Sequence, residues 1–201
     1  MSPPPPPVDA ALVIARTRAW LRHAVIGLNL CPFAKAVEAK GQVRYVVSEA
    51  AEPERLLDEL CRELRALAEA DPAEVDTTLL MHPQVLGDFL DYNDFLDRVD
   101  AAIERLGFEG VLQVASFHPD YQFAGTAPDD AENASNRAPY PTLHLLREAS
   151  IDRAVAAFPE AESIYEANIR TLRGLGREGW AALQADIERD ARDARDAPDT
   201  R

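Results

Sequence analysis

The sequence predicts an α/β fold: a small, mostly parallel β-sheet with a βαβαβ core, an N-terminal helix before it and a C-terminal helical region after it. Three observations predict it. Short runs rich in β-branched and apolar residues, at 42–48 (QVRYVVS), 76–81 (DTTLLM) and 110–117 (GVLQVASF), alternate with two long stretches of helical apolar spacing. The connections between them are short, and two successive strand–helix–strand units normally join adjacent parallel strands through right-handed crossovers. A chain of 201 residues with 47% hydrophobic side chains is also long enough to bury one substantial core. Pattern does not fix strand order, so a ferredoxin-like or otherwise mixed sheet is the alternative.

Asp9 is placed to cap a first helix, with Val13, Trp20, Leu21, Ala24, Val25 and Leu28 on one face. The first strand follows at 42–48. Pro53 then stands where a helix begins, and Leu56, Leu57, Leu60, Cys61, Leu64 and Leu67 form its apolar stripe. After the strand at 76–81 comes a helix carrying Phe89, Phe95, Leu96, Val99, Ile103 and Leu106, ended by Gly107. The strand at 110–117 is nearly all apolar, as a central buried strand should be. An irregular stretch spans 118–141, and helices are expected around 142–148, 151–158, 160–173 and 177–189. Residues 1–8 read as a disordered proline-rich tail, 9–187 as a single domain, and 188–201 as a charged tail, frayed or disordered.

The formal charge of -14 argues against duplex nucleic acid and anionic membranes as partners, since both demand a basic face. Cys31 and Cys61 are too few for a disulfide framework, the first residues are not a signal segment, and no apolar run approaches the roughly 20 residues of a membrane span. A cytoplasmic protein is expected.

Ligands of open parallel sheets bind beyond the carboxyl ends of the strands. Two of those ends carry a His-Pro pair, His82-Pro83 and His118-Pro119, with Asp120 next. The proline stops the ladder and stiffens the chain where the imidazole emerges. His82, His118, Asp120 and His144 are therefore candidate catalytic groups. Cys31, in Asn-Leu-Cys-Pro-Phe after the first helix, is a candidate nucleophile or metal ligand, with buried free cysteine as the plainer reading. The 118–141 segment is long for a loop and rich in hydrogen-bonding groups, among them Asn133, Asn136 and Arg137, while Tyr121, Phe123 and Tyr140 suit docking on a core. Asn136, Arg137 and Arg147 are candidates to hold a carboxylate or phosphate; for Arg147 a structural pairing with a carboxylate is the alternative. His82, His118 and His144, with Cys31 or Asp120, are the candidate ligands for a divalent metal, although no HExxH or CxxC spacing is present.

The segments WLRHAVIGLNLCPFAK (20–35), TTLLMHP (77–83), DFLDYNDFLD (88–97), LQVASFHPDYQFAG (112–125) and NRAPYPTLHLLREASIDRA (136–154) resemble the bacterial family known as domain of unknown function 1415. The resemblance covers nearly everything between the tails. It implies no activity and assigns no catalytic residue, so function rests on position and chemistry. Three readings follow: an enzyme acting on a small polar or anionic molecule through a histidine-lined site, metal-assisted or not; a non-catalytic protein binding a ligand or partner; and a cysteine-dependent or redox enzyme using Cys31.

Overall fold

The structure is a computed structural model that describes residues 7–157 and 163–196. All but Pro7 and Val8 of the expected proline-rich tail, the start of the helix expected at 160–173, and residues 197–201 of the charged tail lie outside the described residues.

Helix α1 (Ala10–Trp20) is capped by the Asp9 carboxylate, which accepts from the Leu12 N–H at 3.0 Å. It runs on into a π-helical segment, Leu21–Ile26, closed by Gly27, where any Cβ would meet the His23 carbonyl oxygen at 2.3 Å. The short helix α2 (Ala34–Ala39) leads to β1 (Val43–Val47). Then come α3 (Pro53–Glu69), β2 (Thr77–Met81), α4 (Phe89–Leu106), β3 (Leu112–Phe117), a 3₁₀ turn (Ala131–Asn136), β4 (Thr142–Arg147), α5 (Glu148–Ala157) and α6 (Ile164–Asp196). Gly107 ends α4 in the left-handed conformation, φ 72°. No described helix is long and apolar enough to cross a membrane.

The four strands lie in the order β1-β2-β4-β3. Strands β1 and β2 are parallel, and β4 is antiparallel to both of its neighbours, β2 and β3. The sheet is mixed, not mostly parallel, and the expected βαβαβ core with adjacent strands is corrected accordingly. β2 and β3 still point the same way, but β4 lies between them. The cause is the segment 142–147, expected to be helical and found as a strand. Its Leu143 and Leu145 alternate with Thr142 and His144, and because both faces of this inner strand are covered, Leu146 adds an apolar residue that blurs the alternation.

Helices α3 and α4 cover one face of the sheet. Leu56, Leu60, Leu64 and Leu67 of α3 and Tyr92, Phe95, Val99 and Ile103 of α4 pack on Leu80, Leu112, Leu143 and Leu145. Helices α1 and α6 cover the other, where Trp20 and Ala24 meet Ile187 and Ala191, and Val13 meets Leu79 and Met81. Helix α6 therefore carries the domain past residue 187. Glu188 bonds Arg16, Asp190 bonds His23 and Arg195 pairs with Asp9, so the described part of the segment expected to be a charged tail, frayed or disordered, is helical to Asp196 and lies on α1. The two helices expected at 160–173 and 177–189 do part between those bounds: α6 is two helical halves meeting at a kink at Gly176, whose φ of 66° with ψ of -177° is helical in neither angle.

Candidate functional site

His82 and His118 emerge at the same end of the sheet. Their parity with Leu80 and Leu112 puts both on the face covered by α3 and α4. Each ring lies against Tyr92 of α4, with centroids 5.6 Å and 5.2 Å away. The His82 Nδ1–H donates to the Val85 carbonyl at 3.0 Å, and the His118 Nε2–H donates to the Leu86 carbonyl at 3.3 Å. The Asp120 backbone N–H donates to the His118 Nδ1 at 3.0 Å. A ring that gives one proton and presents one bare nitrogen is neutral, and burial favours that form, pushing His82 down to about 4 and lowering His118 as well. Leu86, one of the two acceptors, sits at φ 57°, a conformation costly for a bulky residue and held here by the imidazole that grips its carbonyl. Both histidine side chains are fully buried. As placed, they fasten the β2–α4 loop to the rim, and the His82 Nε2 is left in the interior without a partner.

The stretch from His118 to Pro141 is built rather than slack. Buried Asn133 is its organiser: its Oδ1 accepts from the Phe123 N–H and the Thr126 hydroxyl, and its Nδ2 donates to the Ala127 carbonyl. Asn136 donates from Nδ2 to the Ser116 carbonyl, while its own carbonyl receives the His118 N–H, fixing the stretch to the end of β3. Arg137 donates from Nε to the Tyr121 carbonyl at 3.2 Å and from NH2 to the Pro128 carbonyl at 2.7 Å. These acceptors are neutral. Among the described residues no carboxylate pairs with Arg137, so its positive charge is uncompensated.

Arg137 borders a cavity of about 290 Å³ between α1, α6 and this stretch, whose other walls come from Arg16 and Trp20 of α1, Pro119, Ala138 and Pro139, and Trp180, Gln184, Ile187 and Glu188 of α6. Arg16 is a different kind of cation. It donates to the Glu188 carboxylate at 3.0 Å and to the Tyr140 hydroxyl at 2.8 Å, contacts that strengthen its hold on its proton. Its charge is neutralised in place, so the fixed charge of the cavity comes down to Arg137. Trp20 is positioned edge-on to Phe117 of β3, centroids 5.3 Å apart. Trp180 comes four residues after the break at Gly176, which redirects α6 so that its second half lies along α1. Ion pairs from Arg173 to Glu132 and from Arg177 to Asp129 bind the loop stretch to α6 on either side of the break.

A family model described as Protein of unknown function (DUF1415) matches residues 12–182. The chain belongs to this family. The matched span takes in Arg16, Trp20, Arg137 and Trp180, and Gln184 and Glu188 lie just beyond it. No curated protein and no solved structure matches the chain.

The other candidates are dispersed. His144 faces the opposite side of the sheet from His82 and His118, its Nε2–H donating to the Thr77 hydroxyl at 2.7 Å while that hydroxyl donates to the Leu145 carbonyl. Burial pushes it down to about 4. Arg147 stands at the far end of β4 and donates to the carbonyls of Leu67, Ala70 and Val75, closing the carboxyl end of α3; it is remote from Arg137. Asp120 is exposed beside His118. Cys31 is half-buried against the α1–α6 cluster, and no imidazole lies within hydrogen-bonding distance of its Sγ among the described residues. His82, His118 and His144 do not converge on one point, and among the described residues no three His, Cys, Asp or Glu side chains group as metal ligands. Sequence reasoning missed Arg16, Trp180, Gln184 and Glu188 as lining residues. The available signal was Trp180 itself, a large aromatic four residues past a glycine break.

Proposed function

We propose that this protein binds a small anionic molecule in the cavity between α1, α6 and the 118–141 stretch, with Arg137 as the residue that holds the anion. The observation that carries the reading is the guanidinium at the cavity wall, oriented by two backbone carbonyls and paired with no carboxylate among the described residues. A guanidinium fixed in this way has already lost most of its rotamer freedom, and its remaining N–H groups suit a carboxylate or phosphate oxygen. A volume of about 290 Å³ is at the small end of ligand sites, which favours a metabolite and excludes a dinucleotide. In this reading the histidines of the rim are positioning residues. They pin the β2–α4 loop and, through His118 and its neighbour Pro119, one wall of the cavity.

A thermal-shift screen of anionic metabolites against the purified protein tests this, because a ligand that binds only the folded form raises the melting temperature by mass action. At least one small organic anion is expected to raise it in the native chain, and Arg137→Met is expected to lose that rise while keeping a cooperative transition of its own. A stabilising anion that acts equally on Arg137→Met places the site elsewhere and ends the reading.

A further inference from the structure

The cavity is specific in more than charge. It holds both tryptophans of the chain, Trp20 and Trp180. Among the described residues neither indole N–H has an acceptor within hydrogen-bonding distance, and neither is among the fully enclosed polar atoms that lack a partner. The Gln184 amide is likewise without a protein partner. The residues of the wall thus include donors with no protein acceptor among the described residues, the two indoles and the exposed Gln184 amide, beside the Arg137 guanidinium. Its carboxylate, Glu188, is already taken by Arg16. Once that pair is set aside the cavity keeps the single positive charge of Arg137. Its apolar remainder is mostly ring, the two indoles with Pro119 and Pro139, joined by the aliphatic Ala138 and Ile187.

From this we propose that the ligand is a planar aromatic monocarboxylate, with its carboxylate on Arg137 and its ring between the indoles and prolines. The inference rests on the anion-binding reading above and narrows it. One fixed charge neutralises one carboxylate, whereas a phosphate monoester, carrying nearly two charges, would leave an excess buried in the wall. Two indoles reward a ring over an aliphatic body of the same size, by offset or edge contacts worth about a three- to tenfold change in affinity. The chain's charge of -14 adds a repulsive field that a monoanion feels least.

The test is a titration followed by intrinsic tryptophan emission, in which both fluorophores of the full chain border the cavity. The probes are 4-hydroxybenzoate and indole-3-acetate as aromatic monocarboxylates, cyclohexanecarboxylate as the saturated analogue, phenyl phosphate as the dianionic analogue, and indole as the neutral ring. For indole-3-acetate and indole, whose own emission overlaps, the readout is the melting temperature. An aromatic monocarboxylate is expected to change emission saturably, to bind about three- to tenfold more tightly than cyclohexanecarboxylate, and to outbind phenyl phosphate. Trp180→Leu should erase the preference over cyclohexanecarboxylate and keep the response to charge, and Arg137→Met should erase the response to charge. Equal or tighter binding of cyclohexanecarboxylate or phenyl phosphate overturns the aromatic monocarboxylate and leaves the anion site standing. If none of the probes acts on emission or melting, the aromatic monocarboxylate is overturned and the anion site stands or falls by its own screen; if indole alone binds as well as its acid, the anion site falls with it.

Discussion

His82, His118 and His144 are each kept neutral by the same cause, a side chain removed from water with its donor proton committed to an oxygen acceptor. The consequence for stability has a definite sign. The imidazoles of His82 and His144 take a proton near 6.5 when unfolded and only near about 4 when folded, so between those values the unfolded chain binds more protons. Stability is then complete above about pH 6.5 and is lost as the pH falls from 6.5 toward 4, by an amount on the order of 3 kcal/mol for each group. His118, also lowered, adds in the same direction. Urea unfolding followed from pH 7.5 to 4.5 should show the midpoint falling across this window, with His144→Gln falling less steeply. A midpoint that is flat or rises on acidification contradicts the neutral assignment. At this scale the sequence was legible in part. The His-Pro pairs marked the rim because a proline ends a ladder, but nothing marked the partners of the two rings, since the carbonyl of Leu86 reaches His118 through a left-handed turn at an ordinary leucine. Arg147 misled for a related reason. Taken as helical beside His144 it reads as an anion clamp; at the end of a strand it meets the orphan carbonyls of α3.

Two elements decide where the cavity lies, and neither was fully legible. Strand β4 returns from the 118–141 stretch and inserts between β2 and β3, so its first residues and the Arg137–Pro139 segment before it are drawn to the same rim as His118. Its run of six residues is too short, and too apolar on both faces, for its period of two to stand out from a helical one. The helices α3 and α4 stood out because each buries one face over a long pattern, and the strands β1, β2 and β3 because each alternates in the sequence with such a helix. Helix α6 was obscured by its composition: alternating Asp, Arg and Ala past residue 187 looks like a solvated end, yet Ala191 is wholly buried on α1 and Glu188 holds Arg16. A chain ending at residue 187 loses these contacts and the pairing of His23 with Asp190, at 2.5 Å in the native fold. It should melt about 4–8 °C lower, as the loss of roughly 2 kcal/mol implies for a domain of this size. Calorimetry of the truncated protein checks this, and an unchanged melting temperature would show that the last turns of α6 are dispensable to the domain.

Taken as a whole, the molecule is an acidic three-layer sandwich with a cavity between α1, α6 and the 118–141 stretch that Arg137 borders. Most cations on its surface are matched by carboxylates, as in the pairs of Arg44 with Glu63, Arg98 with Glu54 and Arg195 with Asp9. Arg137 is among the several described cations with no carboxylate partner, and what sets it apart is its place at the wall of a cavity that brings together distant parts of the chain, α1, the 118–141 stretch and α6. That convergence is a property of the fold and could not be read from spacing, whereas the choice of the 118–141 stretch as the place to look could, because a long ordered loop rich in hydrogen-bonding side chains has to be held for a reason.

In the proposed function an organic anion enters this cavity and rests on Arg137. With two tryptophans in the chain, a two-dimensional ¹⁵N–¹H spectrum carries two indole side-chain signals, and both belong to the cavity wall. Titration with a stabilising anion is expected to move both signals to saturation in the native protein and to leave them still in Arg137→Met. An anion that stabilises the protein while both indole signals of the native chain stay in place would contradict the claim.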